Sequence, residues 1–205
     1  MKKTIIPLDA GSSLVNFVQS VYPVSDQVIN YINSHSLPKN VSRGDHLLRA
    51  GDIARHFYFI QSGVVRGYVK DGTKEITTWI SAEHEIVSSI RGLRSQEPSI
   101  ENIQAIEACE LIAVPIDILH YLYEHYPEMN IVGRRILEQY YISAEDRAFI
   151  SRIPNASKRY HHFLETQSNL ANRISLKYIA SYLGMTIETL SRIRSKQTKT
   201  RQSAA

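Results

Sequence analysis

Residues 179–197 read IASYLGMTIETLSRIRSKQ, and how this stretch folds decides the architecture of the chain's C-terminal part. Two short helical patterns flank Gly184-Met185-Thr186. Between Leu176 and Leu183, Ile179, Ala180 and Leu183 fall on one helix face. Gly184 can adopt the left-handed backbone that ends a helix. Thr186 can cap the next helix through its hydroxyl, with Thr189 where a capping box would place a glutamate. Beyond the cap, Ile187, Leu190 and Ile193 are expected to face inward, which leaves Glu188, Thr189, Ser191, Arg192 and Lys196 along the outer side. A helix-turn-helix needs this division. The apolar underside fixes the angle between the helices, and side chains near the start of the second reach base edges in the major groove.

The residue types suit that task. Arg192 can bond bidentately to guanine, and Glu188 can accept from a cytosine amino group. Arg194, Lys196, Lys199 and Arg201 suit phosphates. The expected DNA-binding set is therefore Thr186, Glu188, Thr189, Ser191, Arg192, Arg194 and Lys196. An ordinary helical hairpin with a solvated basic face would carry a similar pattern, so the rest of the chain must decide.

Charge leans towards a polyanion. The chain has 205 residues and a net charge of +4, and residues 151–205 carry ten Lys/Arg against two Asp/Glu. The preceding residues carry fourteen against eighteen. A basic tail behind a mildly acidic body favours a phosphate-bearing partner, because such contacts release condensed counterions. The start, MKKTIIPLDAGSSLVNF, is basic, but Pro7, Asp9 and Gly11 interrupt any apolar core of a signal peptide. No stretch approaches the apolar length of a membrane span. Cys109 is the single cysteine, so the chain can form no internal disulfide and no cysteine-ligated cluster. A reducing cytoplasm is the expected compartment.

Upstream, Ser13–Val21 and Ser25–Ser34 read as short helices, the second with Val28, Ile29 and Ile32 at helical spacing. From about Val41 the period changes. HFYFIQ, GVVRGYVK, EITTWI and CELIAV are short, rich in β-branched and aromatic residues, and separated by Gly-Asp, Ser-Gly and Asp-Gly turn signals. This cadence predicts a closed β-roll or barrel. Pro115 ends the strands, Asp117–Tyr126 reads as a helix, and Pro127 suits the first turn of another that continues to about Ile150. At ~1.5 Å per residue that helix exceeds roughly 30 Å. Met129, Val132, Ile136 and Tyr140, with Leu137, Tyr141 and Ala144 alongside, form a stripe wider than burial on one small barrel requires. A dimer seam and packing on the chain's own barrel both account for it. Pro154 and Asn155 then break the chain before the basic module.

With these motifs the chain resembles the cyclic-AMP receptor protein/fumarate-nitrate regulator (Crp/Fnr) family of bacterial transcription factors, and looks especially like its Bacteroidetes-type branch. The similarity covers nearly the whole length. It includes Gly44-Asp45, Gly51-Asp52, FYFIQSGVVRGYV, NIQAIEACELIAVP and IASYLGMTIETLSRIR. The resemblance implies an α+β chain: an N-terminal double-stranded β-roll of the cyclic-nucleotide-binding type with flanking helices (1–126), a long dimerisation helix (127–151) and a C-terminal helix-turn-helix (152–205). It implies a homodimer that binds a palindromic operator in double-stranded DNA. A small-molecule effector and RNA polymerase are candidate partners, and neither a cofactor nor a membrane is expected. By position, Glu188 and Arg192 match the family's base-reading glutamate and arginine. Ile187 replaces an arginine often found before that glutamate, so operator preference should differ.

The sensor region departs from the family's nucleotide binders, in which a glutamate after a glycine holds the ribose and a downstream arginine neutralises the cyclic phosphate. Here Val87-Ser88 stands for the glycine and glutamate, and Ser99 for the arginine. A phosphate buried without its cation carries a heavy desolvation cost, so cyclic AMP and cyclic GMP are not expected ligands. The possible effector pocket comprises Arg66, Tyr68, Ser88, Ser89, Ser99 and Ile100, and Arg91 or Arg94 could substitute for the missing cation from a loop. Two readings from other classes remain: a ligand-binding module whose basic tail makes protein contacts, and a cupin-like enzyme. The second wants a His-x-His inside the roll, whereas His46, His56 and His84 are isolated and His161-His162 lies outside it. Trp79, Tyr58 and Phe59 read as barrel core or rim, and Cys109 as a small buried core residue.

Overall fold

A computed structural model describes residues 13–91 and 96–202, with side chains described as far as Lys196. Arg94 and the side chains of Lys199 and Arg201 lie outside the described residues. The strands form two four-stranded sheets. One has the order β1 (Leu37–Val41), β8 (Cys109–Pro115), β3 (His56–Ser62), β6 (Ile86–Val87). The other has the order β2 (His46–Leu48), β7 (Asn102–Ala105), β4 (Val65–Asp71), β5 (Lys74–Ser81). The pairings of β8 with β1 and β3, and of β7 with β2 and β4, are antiparallel. This is the expected β-roll.

Alternation explains why the strands are so apolar. In β3 and β8, Tyr58, Ile60, Cys109, Leu111 and Ala113 pack into the roll with Val65, Ile103 and Ala105 from the facing sheet. The intervening Phe59, Ile112 and Val114 pack the other way, against helices. A sheet buried on both faces reads as a continuous hydrophobic run. Gly67 of β4 leaves room for the Trp79 indole, since a Cβ there would lie 2.2 Å from the ring. Trp79 Nε1 donates to Glu101 at 2.9 Å, which satisfies the ring's one polar atom.

Helices α1 (Ser13–Val21), α2 (Asp26–His35) and α3 (Ile116–His125) cover the outer face of the first sheet, joined by the start of α4 (Pro127–Arg152). Met129 and Val132 of α4 are buried there. Two contacts fix that end of α4. Ser25 Oγ donates to Glu128 Oε1 at 2.8 Å, and Arg135 Nη1 donates to the Val21 carbonyl at 2.7 Å. Ser25 thus spends its hydroxyl on α4 and makes no side-chain cap on its own helix.

The other face of α4 is apolar but uncovered. Leu137 is 58 % exposed and Tyr141 72 %, with Ile142 and Phe149 also exposed. Packing on the chain's own roll therefore accounts for the Met129 and Val132 part of the stripe, and leaves Leu137 and Tyr141 exposed.

The chain divides into two compact units, one containing the residues up to Val69 with Trp79–Gln139, the other Lys70–Thr78 with the residues from Tyr140 onward. The second unit contains α5 (Ala156–Thr166), a 3-10 turn at Ser168–Leu170, α6 (Leu176–Tyr182) and α7 (Ile187–Gln202). Tyr160, Phe163, Leu170, Ile174, Ile179, Ala180, Leu183 and Leu190 are its buried core.

Candidate nucleic-acid interface and sensor roll

The turn between α6 and α7 is built by local backbone chemistry. Gly184 has φ +61°, which a side chain would strain. Its N–H donates to the Ser181 carbonyl at 3.2 Å, and the Met185 N–H donates to Ala180 at 3.0 Å. Together these are the paired bonds of a Schellman motif, which ends α6 and redirects the chain. The Thr189 N–H then donates to Thr186 Oγ1 at 3.2 Å, so Thr186 caps α7 as its residue type predicts.

Leu190 carries the underside of α7 and is 0 % exposed. Ile193 is half-buried, while Ile187 is 44 % exposed and does not face inward as the spacing predicts. Its place in the first turn explains this: no preceding turn of α7 lies above it to shield the side chain. Thr186, Glu188, Ser191, Arg192 and Lys196 are exposed and Thr189 is half-buried. The Glu188 carboxyl is held below its usual pKa by its own backbone N–H and by the Thr186 hydroxyl. Thr186 Oγ1 also lies 3.2 Å from Thr189 Oγ1, and its single proton serves one acceptor at a time. An ionised glutamate only accepts hydrogen bonds, and the lowered pKa is in the direction of that form.

Arg194 departs from its expected place. Its Nη1 donates to the Ala171 carbonyl and its Nη2 to Asn172 Oδ1, both at 2.9 Å. The side chain ties α7 to the turn before α6 rather than pointing away from the unit. Arg159 is a feature that the sequence did not signal. Its guanidinium donates to the carbonyls of Leu183 and Gly184 in the interhelical turn, and to those of Ile153 and Pro154 after α4. Ser181 is another. Its hydroxyl accepts from the Thr77 N–H at 2.9 Å and donates to the Glu75 carbonyl at 3.0 Å.

In the roll, Arg66 and Tyr68 do share a face of β4, but both are buried, Arg66 at 2 % exposure. The Arg66 Nε and Nη2 donate to Gln104 Oε1 at 3.1 and 2.7 Å, and the guanidinium lies 4.1 Å from the Tyr68 ring centroid. Tyr68 Oη pairs with His46 Nε2 at 3.0 Å. Ser88 Oγ donates to the His56 carbonyl at 2.9 Å. Ser99 is buried, and its hydroxyl donates to the Glu101 carbonyl at 2.9 Å while accepting the Glu101 N–H. Ser89 is buried as well. Ile100 is a correction to the expected pocket: it is 62 % exposed. Ser99 turns into the roll beside the Ile53–Pro98 bridge, and alternation sends Ile100 outward. Arg91 is exposed. Cys109 is buried, as expected of a small core residue.

Residues 38–126 match the family model of the cyclic nucleotide-binding domain. Across 172 residues the chain is 28% identical to the fumarate and nitrate reduction regulatory protein of Vibrio cholerae, covering 76% of this chain and 66% of that protein. It is 27% identical over 184 residues to the anaerobic regulatory protein of Haemophilus influenzae, covering 82% and 68%. The chain thus spans about two thirds of the length of the curated relatives it matches. Its fold superposes on FixK2 from Bradyrhizobium japonicum with a TM-score of 0.72 at 18% identity, covering 80% of this chain and 85% of that one.

Proposed function

From the premise that the chain belongs to the Crp/Fnr family of regulators, we propose that it is a DNA-binding transcription regulator acting as a homodimer on a palindromic operator. The observation that carries this reading is α7. Its start is capped by Thr186, its underside is held by Leu190, and Glu188, Ser191 and Arg192 stand in solvent. Arg192 and Glu188 read bases, with Lys196 at the backbone. Ile187, exposed beside them, offers the apolar surface that suits a thymine methyl group. The uncovered face of α4, centred on Leu137 and Tyr141, is the seam for the second copy.

The relatives are regulators, and this chain is read as a non-enzyme working in the cytoplasm, with RNA polymerase as a candidate partner. No helix among the described residues is long and apolar enough to cross a membrane. The roll is read as a sensor that takes neither cyclic AMP nor cyclic GMP, because the serines in place of the carboxylate and the arginine spend their hydroxyls on backbone. A genomic footprint of the bound protein tests the main reading. Protection over inverted repeats with half-sites about one helical turn (~34 Å) apart supports it, and uniform occupancy without sequence preference opposes it.

A further inference from the structure

We infer that Arg159 is the positioning residue that locks the DNA-reading helices to the end of the long helix α4, and thereby sets which operator spacing the dimer accepts. The inference rests on the DNA-binding reading above. It begins from a weak point in the backbone. Only residues 153–155 separate α4 from α5, and Pro154 can neither continue a helix nor donate a hydrogen bond. Such a break leaves the angle between the elements to non-covalent contacts.

Arg159 supplies them. Its Nη1 donates to both carbonyls at the break, Ile153 at 2.5 Å and Pro154 at 3.2 Å. Its Nε donates to Leu183 at 2.8 Å and its Nη2 to Gly184 at 3.3 Å. These last two carbonyls close α6 and begin the turn into α7. Carbonyls at a helix C-terminus lack partners in their own helix and carry partial negative charge, so a cation is favoured there. One planar group thus spans two backbone segments that lie 24 and 6 residues from it in sequence. Its donors are directed in a fixed fork, a geometry that a lysine ammonium cannot reproduce. The base of α5 is fixed at the same place, where Asn155 Oδ1 accepts the Lys158 N–H at 3.1 Å.

In a two-fold dimer joined along α4, the angle between α4 and α7 determines the distance between the two recognition helices, and so the half-site spacing. The acceptors of Arg159 are the carbonyls of Ile153, Pro154, Leu183 and Gly184, none of them on α7, whose exposed Glu188 and Arg192 are the proposed base readers. Loosening the fork should therefore relax spacing and leave base preference alone.

The test uses the full chain. Spin labels at Asp146→Cys on α4 and Ser195→Cys on α7, diluted with unlabelled protein, report the distance within one chain. Both sites are exposed and the native cysteine is buried. The expected result is one narrow distance with Arg159 present and a broad distribution in Arg159→Lys and Arg159→Ala. In parallel, affinities are measured for the operator and for versions with the half-sites moved by one or two base pairs. Both variants should lose at least roughly tenfold of the discrimination between spacings, while keeping the half-site sequence preference. An unchanged narrow distance in both variants, or equal weakening at every spacing, would overturn the proposal. So would loss of folding in both, because Arg159 would then be simply stabilising. If the unaltered protein selects no operator, the DNA-binding reading fails, and the distance distributions still decide the role of Arg159.

Discussion

The two regions where this chain would meet ligands treat their polar side chains in opposite ways. On α7, Glu188, Ser191 and Arg192 are exposed on a helix capped by Thr186 and held underneath by Leu190. In the roll, Arg66, Tyr68, Ser88 and Ser99 are turned onto Gln104, His46 and backbone carbonyls. Rigid support with open donors suits recognition of a partner from outside. Inward pairing suits a domain that keeps the family's shape with different internal chemistry. The difference teaches that a fold carries no ligand by itself, and that the side chains of each site have to be read separately.

The comparison is broken most sharply if the roll binds a cyclic nucleotide after all. Two missing charge-assisted contacts should weaken binding by roughly two to four decades. Calorimetry of cyclic AMP and cyclic GMP against the purified protein should give no heat. A low-micromolar dissociation constant abolished by Arg91→Ala would mean that a loop arginine supplies the missing charge.

The committed underside of α7 comes next. Leu190→Ala removes a fully buried side chain and should cost about 2–5 kcal/mol of unfolding free energy, read by urea denaturation. A loss below that range would show that the site collapses around the smaller residue. The open side gives a smaller effect of a different kind. Arg192→Ala and Glu188→Ala should each cost about 1–3 kcal/mol on the preferred operator and little on random DNA. Equal weakening on all sequences would place these residues at phosphates.

The smallest effect concerns the roll's response to pH. Burial, Lys39 and Arg55 hold the His56 pKa below its ordinary value. The unfolded chain therefore binds this proton more readily than the folded one. Stability from this group is fully present above the usual histidine pKa of about 6.5 and declines as pH falls towards the lowered folded value. Thermal melts from pH 7.5 to pH 5 should show that decline, and His56→Gln should lessen it. An identical decline in the variant would assign it to other groups.

Much of this architecture was legible in the sequence, for local reasons. Gly184 and Thr186 announce the turn because each is read by backbone within five residues, and strand alternation with turn signals announced the roll. Arg159 and Arg194 were not legible as clamps. Their acceptors are mostly main-chain carbonyls up to 25 residues away, and carbonyls leave no signature in residue type. Ile187 misled because periodicity assumes neighbouring turns on both sides, which a helix end lacks. Ile100 misled because a loop's in-and-out alternation is set by pairing, here the bridge from Ile53 to Pro98.

The most direct test of the central claim is selection of bound sequences from a random DNA pool by the purified protein, repeated with Arg192→Ala. The account predicts an inverted repeat with half-sites about one helical turn (~34 Å) apart, and loss of preference at one base pair of each half-site in the variant. Recovery of unrelated sequences without a repeat, or the same repeat with undiminished preference in Arg192→Ala, would contradict it.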